Sequence, residues 1–139
     1  MPRILAIDYG LKRTGIAVTD PMQIIATALE TVDSSQLISF LKKYFEKEQV
    51  SEVVIGMPKR LDNTDSDTAH AVRKFIVLFK QNFPQIPVTE VDERFTSSLA
   101  LDAMISGGMK KKDRQVKGNV DKISATLILQ NYMQSKNAF

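Results

Sequence analysis

Residues 3–19 read RILAIDYGLKRTGIAVT, and this stretch decides the fold. Arg3 to Asp8 is a short apolar run closed by Tyr9-Gly10, the pattern of a buried strand ending in a turn. Gly15 to Thr19 is a second such run, and Ile24 to Val32 (IIATALETV) is a third. The spacers between them are short and hold Gly10, Gly15, Asp20 and Pro21. Short spacers favour antiparallel hairpins, because a parallel return needs about a dozen residues or more. The first third of the chain is therefore expected to be a three-stranded meander.

Working outward, Ser34 or Ser35 is placed to cap a helix with Leu37, Ile38, Leu41, Tyr44 and Phe45 on one face. Glu52 to Met57 reads as a strand, and the helix before it implies that it lies parallel to an earlier one. Pro58 to Thr68 is polar loop. Val72, Phe75, Ile76 and Phe79 recur at helical spacing and predict a second amphipathic helix, with Pro84 and Pro87 at its exit. Val88 to Val91 is a fifth strand. Thr96 or Ser97 caps a third helix through Leu101, Met104 and Ile105, stopped by Gly107-Gly108. Asn119 caps a last helix running towards Tyr132. Strands and helices in this order predict an α/β layer fold with a mixed sheet.

The chain has 139 residues, which fits one domain over 1–139. It has no cysteine, which excludes a disulfide scaffold, a thiolate zinc site, an iron–sulfur cluster and a cysteine nucleophile. Its single histidine, His70, excludes chemistry that needs two imidazoles and is expected at the surface. The longest apolar runs, such as Phe75 to Phe79, are far too short to span a bilayer. Asp8 falls too early for a secretory signal core. A cytoplasmic protein with no membrane association is expected.

Nineteen Lys and Arg against sixteen Asp and Glu give a net charge of +3. The run Gly107 to Asn119 holds Lys110, Lys111, Lys112, Arg114 and Lys117 against Asp113. The basicity is therefore local, and a local basic loop suits tracking a phosphate backbone. The alternative for such a run is a solvated surface loop. No aromatic interleaves with it, so it offers no base stacking.

Three acidic positions fall at element boundaries. Asp8 ends the first strand, Asp92-Glu93 follow the fifth and precede Arg94, and Asp121 lies in the expected first turn of the last helix. The carboxyl ends of parallel strands collect functional groups in α/β sheets. Ala125, one helical turn beyond Asp121, is small enough to let that helix approach the sheet. Three carboxylates without imidazole suit a hard cation, Mg²⁺ or Mn²⁺, rather than zinc. One or two such ions can activate water and stabilise the leaving oxygen of a phosphodiester. Each acid also has a plain structural reading: a turn aspartate at Asp8, a helix-terminus charge at Asp121, a surface partner of Arg94 at Glu93. On pattern alone the two readings balance.

Two further features carry charge. Asp8 to Gly15 (DYGLKRTG) sets Lys12 and Arg13 on the first hairpin and resembles the phosphate-binding hairpin of actin-like ATPases and sugar kinases. Those proteins close two such domains on a nucleotide, and this chain has one. Gly56 to Thr64 (GMPKRLDNT) opens a strand end into a loop bearing Lys59 and Arg60. It is either a plain connection or a grip on substrate phosphates.

At these residues the sequence resembles the YqgF/RuvX family of small bacterial proteins with a ribonuclease-H-like fold. The resemblance rests on four ordered blocks: I-D-Y-G-x-K-R-x-G from Ile7, V-I-G-M-P with L-D-N-T from Val54, V-D-E-R-F-T-S from Val91, and K-G-N-V-D-K-I-S-A-T-L-I-L-Q-N-Y from Lys117. It implies a five-stranded mixed sheet in the order 3-2-1-4-5 with helices on both faces. It also implies a divalent-metal nuclease site carried by Asp8, Glu93 and Asp121, with Asp92 as a supporting or occasional ligand. Members are named as nucleases that process the 5′ end of pre-16S rRNA. An older label is Holliday junction resolvase, by similarity to RuvC. The chain departs from the family's G-L-P-L-N-M-D-G-T at Gly56 to Thr64, where Lys59 and Arg60 add charge and Asn63 replaces a glycine.

The expectation is a metal-dependent endonuclease acting on precursor 16S rRNA, alone or on the pre-ribosomal particle, as a monomer or weak homodimer. Lys12, Arg13, Lys59, Arg60 and Arg94 are candidate phosphate contacts, with Lys110, Lys111, Lys112, Arg114 and Lys117 docking the backbone. The alternatives are a resolvase cutting four-way DNA and a non-catalytic RNA-binding assembly factor.

Overall fold

The computed structural model describes residues 2–57, 67–92 and 117–137, the side chains of Asp67, Asp92, 117–122 and 134–137 excepted. Five strands form one sheet: β1 (Arg3–Asp8), β2 (Arg13–Thr19), β3 (Ala26–Asp33), β4 (Val50–Met57) and β5 (Val88–Asp92). Their order is β3-β2-β1-β4-β5. β1 pairs antiparallel with β2, and β2 with β3, as hairpin-length spacers require. β1 pairs parallel with β4, and β4 with β5, because a helix or long connection intervenes. The sheet is the five-stranded mixed sheet of the ribonuclease-H-like fold, in the expected order.

Helices α1 (Leu37–Lys47) and α2 (Asp67–Asn82) cover one face. Helix α3 (Lys117–Asn137) covers the other. Strand alternation divides β1 cleanly between them. Leu5 and Ile7 join the core under α1 and α2, with Leu37, Leu41, Val72, Phe75 and Phe79. Ile4 and Ala6 join the core under α3, with Ala17, Val54, Ala125, Ile128 and Leu129. Ile4 to Ile7 are all at most 1% exposed, which explains an unbroken apolar run where a one-sided strand would alternate. Small Ala6, Ala17 and Ala125 let α3 sit close across β1, β2 and β3.

Four local expectations are corrected. The third strand begins at Ala26 rather than Ile24. The Asp20 carboxylate captures the Ile24 and Ile25 amides at 2.8 and 2.7 Å, so they close a loop instead of a ladder. Neither Ser34 nor Ser35 caps α1 with its side chain; Ser34 to Gln36 form a 3-10 turn. The second helix begins at Asp67, within the expected polar loop. The last helix begins at Lys117, so Asn119 lies inside it and Asp121 falls in its second turn. Asp121 therefore does not serve as a first-turn charge for the helix dipole. The helix expected over Thr96 to Ile105 and most of the loop from Pro58 lie outside the described residues.

Candidate active site

The parallel strands β1, β4 and β5 end together, at Asp8, Met57 and Asp92. Alternation from Ile4 and Ala6 turns Asp8 towards the α3 face. Its antiparallel partner is Gly15, on the same face. On the other side the register runs Ile7 to Ile55, and one residue on it sets Asp8 beside Gly56. Gly56 in turn pairs with Val91. The row across the sheet is thus Gly15, Asp8, Gly56, Val91. Neighbouring strands lie about 4.8 Å apart, so two flanking side chains would crowd the carboxylate. Glycine on both sides removes them, so no side chain from β2 or β4 flanks the half-buried carboxylate, and both glycines are themselves buried. Asp8 also takes part in a polar interaction of its own.

Behind this row the first hairpin is pinned. Ser34 Oγ donates to the Gly10 carbonyl at 2.5 Å and meets the Thr14 hydroxyl at 2.9 Å. Ser34 has one hydroxyl proton, and Gly10 takes it, so Thr14 donates to Ser34. The Ser34 amide donates to the Lys12 carbonyl at 2.9 Å. Thr14 is fully buried. One serine thus ties three points of the Tyr9 to Thr14 turn to the end of β3. Gly10 is required there, because a Cβ would run into the Arg13 backbone carbonyl. The turn carries Lys12, exposed, and Arg13, half-buried.

The remaining candidates divide by position. Asp92 ends β5 level with Met57, and Asp121 and Lys117 lie on α3, but their side chains are not described. Val91 packs against the core under α3. Ala125, one turn after Asp121, is fully buried in the same core. Glu93, Lys59, Arg60, Arg94, Lys110, Lys111, Lys112 and Arg114 lie outside the described residues. Among the described residues no group of three His, Cys, Asp or Glu gathers. His70 is exposed on α2, as expected. The sequence reading missed the glycine row and the role of Ser34. Both needed the register between strands, although the glycines were visible in the motif.

The RuvX family model, described as "Holliday junction resolvase", matches residues 2–135. The chain belongs to the RuvX family. Two curated relatives share the name "Putative pre-16S rRNA nuclease". The one from Flavobacterium psychrophilum is 54% identical over 136 residues, covering 98% of this chain and 99% of that protein. The one from Phocaeicola vulgatus is 55% identical over 136 residues, covering 98% of each. Among solved structures, Thermus thermophilus RuvC in complex with a Holliday junction substrate superposes with a TM-score of 0.62 at 13% identity, covering 99% of this chain and 98% of that one. A second Thermus thermophilus RuvC structure gives 0.58, also at 13% identity, covering 96% of this chain and 95% of that one. At this identity the likeness to RuvC speaks for the fold. Membership of RuvX makes the chain a nuclease by class. No helix among the described residues is long and apolar enough to cross a membrane.

Proposed function

We propose that this RuvX chain is a metal-dependent endonuclease that matures the 5′ end of precursor 16S rRNA in the cytoplasm. The observation that carries the reading is Asp8 in its glycine-flanked row at the carboxyl end of the central strand. The identity above 50% to proteins named for that substrate supports the choice of RNA. Asp8 together with Glu93 and Asp121 would hold one or two Mg²⁺ or Mn²⁺ ions. Carboxylate oxygens without imidazole suit such hard ions, and no side chain from β2 or β4 crowds Asp8. Bound there, the ions would supply an activated water and neutralise charge building on the phosphate.

The chain's own residues do the positioning. Lys12 stands exposed on the pinned turn, ready to meet a phosphate oxygen beside Asp8. Arg13 strengthens the positive field at the same turn. The cations from Lys110 to Lys117, with Lys59, Arg60 and Arg94, add sequence-independent affinity for the backbone. The substrate is the RNA itself or the pre-ribosomal particle.

A paired cleavage assay tests this. Wild type and Asp8→Asn are incubated with Mg²⁺ or Mn²⁺ on a precursor-rRNA leader and on a four-way DNA junction. The expected result is cutting of the leader that falls about 10³-fold in the variant, roughly 4 kcal/mol of transition-state stabilisation. A variant retaining more than a tenth of the rate removes Asp8 from the chemistry. Cutting of the junction alone supports the resolvase reading, which the family's description favours. Binding without cutting, indifferent to the variant, supports an assembly factor.

A further inference from the structure

Tyr9 follows Asp8 and turns to the opposite face, where its ring stacks on Phe75 at 5.1 Å and 23°. There it closes one end of a cavity of about 520 Å³ between the start of α1 and the length of α2. The volume lies within the usual range of small-ligand sites, about 300–1,000 Å³. Ser34 and Ser35 form one wall, and Lys74, Phe75 and Leu78 the other. The α2 wall extends from Ala71 to Asn82, a rise of roughly 16 Å. Tyr9 and Ser34 lie at the end of the sheet that carries Asp8, because β1 and β3 both finish there.

The lining names its ligand. It is mostly apolar, with the stacked Tyr9 and Phe75 rings, the hydroxyls of Tyr9, Ser34 and Ser35, the Asn82 amide and one cation, Lys74, and no acidic residue. Leu78 is 45% exposed and adds apolar surface to the groove wall. Lys12, exposed on the turn that follows Asp8 and Tyr9, is a second cation at the same end. An aromatic ring with apolar walls takes a base, and a lysine on the rim takes its phosphate. A duplex cannot use such a groove, because its bases are stacked inside.

We propose that this α1–α2 groove holds an unpaired stretch of the nucleic acid strand next to the bond being cut, with a base against Tyr9 and a phosphate on Lys74. The choice of ligand rests on the nuclease reading. The groove would make the enzyme select single-stranded flanks, and a leader strand would cross the turn from Asp8 to Tyr9.

The test is binding by the full-length wild type and its variants, with EDTA present so that nothing is cut. The probes are a fluorescein-labelled single-stranded RNA of about twelve nucleotides and its blunt duplex. Lys74→Glu and Leu78→Glu alter exposed positions, and circular dichroism checks their fold. Each is expected to weaken single-strand binding about tenfold while the duplex changes less than about twofold. Tyr9→Leu is expected to lose the quench of a 2-aminopurine in the strand. Single-strand binding unchanged in both charge variants overturns the proposal and leaves the groove to a protein partner. Equal losses for strand and duplex also overturn it, since that marks a general electrostatic effect. Failure of the nuclease reading shows separately, as absence of metal-dependent cutting by a wild type that still binds.

Discussion

Replacing Ser34 with alanine removes one hydroxyl from the hairpin that presents Lys12 beside Asp8. Two hydrogen bonds go with it, to the Gly10 carbonyl at 2.5 Å and to the Thr14 hydroxyl at 2.9 Å. Gly10 is only half-buried, so water can replace its lost donor, and the net cost there is about 0.5–1 kcal/mol. Thr14 is fully buried, and water cannot reach it. An orphaned buried hydroxyl costs about 1–3 kcal/mol. The sum is about 1.5–4 kcal/mol, or a Tm lower by roughly 5–14 °C for a domain of this size. Urea unfolding of Ser34→Ala, Thr14→Val and the double variant measures it. Thr14→Val removes the stranded donor, so the double variant should recover at least about 1 kcal/mol relative to the summed singles. Cleavage should fall in Ser34→Ala under conditions where the protein remains folded, because the Tyr9 to Thr14 turn loosens. A Ser34→Ala cost under about 0.5 kcal/mol, or a double variant equal to the sum, would refute the argument that this serine pins the turn.

Three further outcomes are expected. Gly15→Val sets a branched side chain about 5 Å from the Asp8 Cβ and should cut metal-dependent cleavage at least about tenfold, read at saturating Mg²⁺ against RNA binding. Leu129→Ala empties a fully buried position between α3 and the sheet and should cost about 3–5 kcal/mol in urea unfolding. The Asp20 carboxyl is held below the usual carboxylate range, first by the Ile25 amide, then by those of Ile24 and Met22. A depressed folded-state pKa gives stability that is complete above the unfolded value and lost as pH falls through the folded one. Amide exchange at Ile24 and Ile25 should therefore lose protection below about pH 4, and Asp20→Ala should lose it at all pH values.

The residues of this chain determined its elements and much of its order. Short apolar runs split by Gly10, Asp20 and Pro21 admit only hairpins, and helices after β3 and β4 admit only parallel returns. Motif blocks spread over the chain placed it in its family. Ends of elements were less legible, because side chains chose partners that the sequence does not advertise. Asp20 took the amides of Ile24 and Ile25 from the third strand. Ser34 bonded backward to Gly10 and Thr14 instead of forward to its helix. Only the tertiary structure decided that Gly15 and Gly56 stand on either side of Asp8, since face and neighbour follow from strand register. It alone set Tyr9 and Phe75, 66 positions apart, ring against ring over a groove. A sequence specifies which residues prefer burial and turn. Which distant residues then meet is fixed by how the layers pack, and the row around Asp8 exists only at that level.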